Sequence, residues 1–265
     1  MSMIVLMVAG CGRLGFEARS GSDAAANDDA PTCSVTTLDR LDCAPSAGCA
    51  VPPACSQLTL LLHFDGSQAH GETAARAHDF SGSGNHVTCA GATCPAAIAG
   101  RFGGGFRFDG LDRFEAPDAP SLNAVVGVTM SVWFQPTMPS PSYAPIVTRW
   151  RPGIGDSNYR LAQDVDRFSV NYGVGYNWQN HETPSGYPNG AWYHLVGTID
   201  DSADRIRIWV NGTLAGEFTN TIDSEPNAGS LWIGWAEEED GVVGVIDEVA
   251  VWTRVLSDQE IAALY

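Results

Sequence analysis

From Leu58 onward the chain falls into short runs in which apolar and polar residues alternate, each closed by Gly, Pro, Asn or Asp. In "DRIRIWV", Ile206, Ile208 and Val210 lie on one side and Arg205, Arg207 and Trp209 on the other, the two-residue period of a strand. "VTMSVWFQP" (Val128 to Pro136) alternates and stops at proline. "GGFRFDG" (Gly104 to Gly110), "APIVTRW", "SNYRLAQD", "RFSVNYGVGYNW" and "AWYHLVGTID" (Ala191 to Asp200) read the same way, and "LTLLLHFDG" reads as a buried strand ending in a turn. Asn211-Gly212 predicts a tight hairpin, because both central residues of a type I′ turn need positive φ. Many short strands with turn signals between them predict an all-β fold: a two-sheet antiparallel jelly-roll sandwich. One helix is predicted, at the C-terminus. There Ser257 and Glu260 have the spacing of a capping box, and Ile261 and Leu264 supply the apolar side that packs on the sheet.

Before Leu58 the texture differs. Residues 12–32 are small, polar and acidic without periodicity, which reads as a flexible tether. Residues 33–57 are rich in Cys and Pro and read as a disulfide-stiffened stalk. The opening "MSMIVLMVAGCG" has an apolar run, Met3 to Ala9, too short to cross a bilayer as a mature helix, and it fits the apolar part of a secretion signal. "VAGC" (Val8 to Cys11) resembles a bacterial lipobox. That resemblance implies a signal peptide over residues 1–10, cleavage before Cys11 and a lipid anchor on its thiol. Gly12 is not the Asp that holds lipoproteins at the inner membrane, so the expected place is the outer membrane, on its periplasmic or cell-surface face.

Setting Cys11 aside leaves Cys33, Cys43, Cys49, Cys55, Cys89 and Cys94, an even number, which in an exported chain reads as disulfides. "CAGATC" makes Cys89 and Cys94 the readiest pair. The other four are expected to pair among themselves, in an order the sequence leaves open. Their spacing lacks the Cys-x-x-Cys of a zinc knuckle.

The formal net charge is -17, and all 14 basic residues are Arg. So acidic a chain argues against nucleic acid as a partner and against electrostatic docking on anionic lipid, leaving the lipid anchor as the expected membrane contact. It suits cation binding, and it equally suits plain solubility.

The ordered series "HFDG", "DFSGSGNH", "GRFGGGFRFDGLDRFEAP", "VTMSVWFQP", "AWYHLVGTID", "RIWVNGTLAG", "LWIG" and "GVIDEVAVWTRVLSDQEI" resembles the laminin-G-like, concanavalin A-like lectin/glucanase domain of bacterial surface proteins, over residues 58–265. The resemblance implies a binding scaffold more than a catalyst, since fold carries over better than function. It also implies a calcium ion between the first strand and the "IDE" strand. Calcium takes about six to eight oxygen ligands. Asp65 and Asp247 are the expected ones, with Asn85 and the Gly110 carbonyl as partners; the competing reading is that such residues cap turns.

A sugar presents apolar C–H faces, which aromatic platforms flanked by polar groups suit. "NYGVGYNWQNHET" offers Tyr176, Trp178, Gln179, Asn180 and His181, and the loop after "LWIGW" offers Trp235, Glu237 and Asp240. Against this, large aromatics on alternate strand positions are usually core, the expectation for Trp133, Trp209, Trp232 and Trp252. Catalysis is not expected. Glycosidases need a paired acid and nucleophile; Asp247 and Glu248 are adjacent and point to opposite faces of a strand, and neither a nucleophile elbow nor a zinc-protease motif is present. The expected function is therefore non-catalytic binding at the cell envelope, to a polysaccharide or glycan. The rival is a structural or adhesive module that binds a cell-surface protein and has no sugar site.

Overall fold

In the computed structural model the described residues are Leu41, Cys43 and 53–265, apart from 139, 152–155, 176 and 237–240. The alternating runs form β1 (Leu58–Leu62), β2 (Arg76–Ala77), β3 (Val87–Thr88), β4 (Ala96–Ala99), β5 (Gly104–Asp109), β6 (Phe114–Ala116), β7 (Gly127–Pro136) and β8 (Ser140–Arg151). They continue as β9 (Asp156–Val165), β10 (Arg167–Val174), β11 (Asn177–Glu182), β12 (Tyr193–Asp200), β13 (Arg205–Val210), β14 (Thr213–Thr219), β15 (Ser230–Ile233) and β16 (Val243–Trp252), then helix α1 (Asp258–Leu264). "RFSVNYGVGYNW", legible in sequence as one stretch, is two strands. β10 folds back on β11 with Val174 opposite Asn177, and Gly175, at φ 59°, lies in the turn between them. Asn211 and Gly212 both have positive φ, as the hairpin requires.

The strands build two sheets in a jelly-roll sandwich. The first runs β14-β13-β12-β7-β16-β5-β4, with β1 also paired to β16; the second runs β11-β10-β9-β8-β15-β6-β3-β2. Side chains alternate across each strand, so one set meets between the sheets. Phe108, Phe114, Met130, Phe134, Leu161 and Ile208 are among this buried core.

A second apolar cluster covers the other side of the first sheet. Leu58, Leu61, Val196, Trp209, Ala250 and Trp252 pack there under Leu256 and Ile261, with Leu41, Cys43, Phe80 and Leu264 against them. The Ser257 hydroxyl accepts the Glu260 N–H and the Glu260 carboxylate accepts the Ser257 N–H, the expected capping box. This apolar cluster covers the middle of the first sheet's outer side, while β4 and β14 at its edges are largely exposed.

β16 has two neighbours on one edge. Val243 to Ile246 pair with β5, and Val249 to Trp252 pair with β1. The change falls at Asp247 and Glu248, where the register with β7 shifts and Glu248 takes φ 50°. A bulge of this kind re-aims side chains, so this pair departs from simple alternation. Asp247 accepts the Phe102 N–H, and Glu248 meets His63 Nδ1 at 2.7 Å. Cys89 is bonded to Cys94 as expected, and Cys43 to Cys55. Cys11, Cys33 and Cys49 lie outside the described residues.

Candidate aromatic binding face

Residues directly opposite in an antiparallel ladder point to the same side. One outward row crosses the whole second sheet: Arg76, Thr88, Glu115, Trp232, Thr148, Arg160, Asn171 and Asn180, each opposite the next. Two residues along, Trp150 faces Ser157, Ser157 faces Gly173 and Gly173 faces Trp178. The inward positions between these rows carry Tyr159 and Tyr172, which belong to the core.

Small residues at the centre of the second row shape the site. A Cβ on Gly173 would lie 2.8 Å from Trp178 Cδ2 and 3.0 Å from Cε3, so the ring lies against the strand backbone. Glycine inside a strand marks this kind of close approach. The Trp178 ring reaches toward β8 and stacks on Trp150 with centroids 5.6 Å apart and planes 28° apart. The Arg160 guanidinium sits 5.2 Å from the Trp150 ring centre and 5.3 Å from that of Trp178. Cations over indole faces are held electrostatically by the ring quadrupole. Trp150 is only 7% exposed, and among the described residues its Nε1 has no hydrogen-bond partner. Beside the rings Ser169 donates to Asn171, and Asn171 donates to Asn180 Oδ1, which leaves the exposed Asn180 its Nδ2 donors.

A second aromatic group lies on the same face. Trp232 and Trp235 meet edge to face with centroids 5.4 Å apart. The Arg113 guanidinium lies 4.4 Å from the Trp235 ring centre and 5.7 Å from that of Trp232. Trp232 was expected in packing. It is in a strand, but its side chain is half-buried on the outward face, and its Nε1 has no hydrogen-bond partner among the described residues. Trp133, Trp209 and Trp252 are buried as expected.

The structure brings Trp178, Asn180 and Trp235 to this one face. Two other rim expectations need correcting. Gln179 points inward, where its amide donates to Asn220 Oδ1 and accepts the Thr221 N–H. His181 stacks on Phe218, centroids 4.8 Å apart, and burial lowers its pKa. Tyr176 and Asp240 lie outside the described residues, as does Glu237. Sequence reasoning missed Trp150, Arg160 and Arg113. Gly173 was the available sign, a glycine amid alternating strand residues.

Carboxylates at these outward positions include Glu182, Glu115 and Asp164, the last opposite Arg167 and beside Glu182. Glu182, opposite Ser169, accepts from Tyr143 and Arg167 at 2.7 Å each. Those bonds lower its pKa and raise that of the Tyr143 phenol to about 12. Glu115 is on β6, five strand steps from β11. At ~4.8 Å per step that is about 24 Å, against roughly 5 to 9.5 Å between the carboxyls of a glycosidase.

The four expected calcium ligands do not converge. Asp65 and Asp247 meet at one loop, where Asp65 accepts the Gly104 N–H and Asp247 the Phe102 N–H. Asn85 is bonded instead to the Thr59 carbonyl, Ser121 and Asp79. The Gly110 carbonyl accepts the Gly241 N–H at the far end of β5. Burial, with Glu248 adding to it, pushes the Asp247 pKa up to about 8, despite the N–H groups it accepts. Among the described residues no three His, Cys, Asp or Glu side chains form a group suited to a metal ion. Asp65, Asp247, Asn85 and Gly110 thus form no single coordination sphere.

The family model that matches residues 108–262 describes the concanavalin A-like lectin/glucanases superfamily. The chain belongs to that superfamily. No curated protein sequence matches it. Among solved structures it is similar to the binding domain of Paraclostridial Mosquitocidal Protein 1, with a TM-score of 0.63 and 12% identity over 80% of this chain and 52% of that one. It is also similar to domain 4 of AbnA, an extracellular arabinanase from Geobacillus stearothermophilus, solved with arabinotriose; the TM-score is 0.61 and the identity 19%, over 78% of this chain and 98% of that one. A third is a botulinum neurotoxin type C whose cell entry depends on interaction with two ganglioside molecules, with TM-score 0.60 and 12% identity over 80% of this chain and 51% of that one. The chain thus spans about half the length of the first and third. At these identities the similarities establish the lectin-like fold.

Proposed function

We propose that this protein is a non-catalytic glycan-binding module, carried at the cell envelope by a lipid on Cys11. The observation that carries the reading is the half-exposed Trp178 ring set against Gly173 and stacked on Trp150, on the outward side of the second sheet. A flat, half-exposed indole offers a sugar ring an apolar surface, while the exposed Asn180 amide offers polar contacts at its margin. The engagement of Glu182 by Arg167 and Tyr143 favours binding over hydrolysis. The glycan-binding neighbours support the same reading by analogy of fold.

A glycan array with the full-length secreted protein tests it. Binding to a glycan, lost in Trp178→Ala while the variant stays folded, is the expected result. Silence across the array, together with capture of a cell-surface protein that Trp178→Ala leaves unchanged, would replace the sugar reading with the adhesive one. Globomycin treatment, which blocks lipoprotein signal cleavage, tests the anchor: the chain should accumulate unprocessed, and normal processing would refute lipidation at Cys11.

A further inference from the structure

We infer that the Trp232–Trp235–Arg113 group is a second sugar subsite, so that the ligand is an uncharged glycan chain lying across the strands rather than a single terminal sugar. This rests on the proposed function and extends it. Three observations carry it. First, the group shares its face with the Trp150–Trp178–Arg160 platform, since Trp232 is directly opposite Thr148, and Thr148 is opposite Arg160. Second, it repeats that platform's composition: two indoles in contact and one guanidinium over them. Third, the half-buried Arg113 guanidinium has no ion pair among the described residues. A guanidinium stacked flat on a ring keeps its N–H edge for ligand oxygens.

The spacing decides between one sugar and several. β15 and β11 are four strand steps apart. At ~4.8 Å per step the track from β11 to β15 is about 19 Å long, with Trp150 of β8 between its ends, and so is longer than one sugar ring. The charge decides the class of chain. With a net charge of -17, and Glu115 directly opposite Trp232, the surroundings repel a polyanion, so the arginines serve as donors to hydroxyl and ring oxygens.

The test is titration calorimetry on the full-length protein with neutral arabino-, xylo- and gluco-oligosaccharides of increasing length, and oligogalacturonates as the charged arm. In the best-binding neutral series, affinity should climb about tenfold or more between the shortest and longest members, as a second site is engaged on the same chain. Trp235→Ala and Arg113→Met should each collapse that length dependence, whereas Trp178→Ala should weaken every length. Retention of the circular-dichroism couplet between the Trp150 and Trp178 indoles shows that Trp235→Ala remains folded at the first platform. Equal affinity at every length, length dependence that survives Trp235→Ala, or oligogalacturonate binding as tight as neutral binding would each overturn the inference and leave the glycan reading standing. No binding by any series, with silence on the array as well, would overturn both.

Discussion

Replacing Gly173 by alanine tests the platform without any knowledge of the ligand. The added Cβ meets the Trp178 ring at 2.8 and 3.0 Å and the Asn177 carbonyl at 3.1 Å, so the ring must lift from the sheet. Overpacking of this kind costs about 1–3 kcal/mol. Loss of glycine's unfolded-state freedom returns about 0.5–1 kcal/mol. The net cost is then about 1–2 kcal/mol, or roughly 3–6 °C in Tm for a domain of this size. Lifting the ring should also weaken the couplet between the indoles, now 5.6 Å apart. The decisive assay is a double-mutant cycle. In a Trp178→Ala background only the tight contact with the Asn177 carbonyl remains, so the cost of Gly173→Ala should fall to about zero. An unchanged cost in that background would refute the argument that the glycine exists to seat the indole.

Three other outcomes follow from the same geometry. Burial holds the His194 imidazole down at about 4, from 6.5; because the folded pKa is the lower one, its contribution is complete above about pH 6.5 and is lost as pH falls through about 4. That gap is worth about 3 kcal/mol; denaturant titrations from pH 7 to 4 should show it, and His194→Gln should flatten the fall, while an identical slope in the variant rejects the assignment. Arg149 is fully buried and bonds Asn227, Asn123 and Asp118, so Arg149→Met should cost about 3 kcal/mol by urea unfolding, chiefly through the stranded Asn227 carbonyl; a cost under about 1 kcal/mol would contradict this. Thermal unfolding in EDTA and in millimolar calcium should agree, since Asp65 and Asp247 lie apart from Asn85 and the Gly110 carbonyl. A calcium-dependent rise of about 5 °C or more would restore the ion.

What the sequence revealed was local. The period of Ile206, Ile208 and Val210, the Asn211-Gly212 turn, the Ser257–Glu260 box and the Cys89–Cys94 pair each depend on residues close together in the chain, and all appear as expected. Register between distant strands has no such local signature. Trp150 and Trp178 meet only because β8, β9, β10 and β11 align Ser157 and Gly173 between them. Alternation gives two faces but not which one is covered, and Trp232 was assigned to packing for that reason. Asn85 and Gly110 are bonded in different parts of the fold, which no local pattern shows: Asn85 donates to the Thr59 carbonyl, and the Gly110 carbonyl accepts from Gly241.

The shared edge of β16 also bears on how this molecule reaches its folded state. The Thr59 hydroxyl donates to the Val251 carbonyl, 192 residues away. A polypeptide emerging N-terminus first carries its opening strand with no mate until almost the last residues arrive. Meanwhile the edges of β7, β5 and β1 that β16 will join lie open to any neighbouring chain. Folding of the sandwich is therefore committed late, by insertion of one strand that closes three pairings at once, and by topology it belongs among the slow folders. Proteolytic loss of that single strand would undo the same three pairings together, so a cut ahead of Val243 should release an aggregating remnant rather than a shortened working domain.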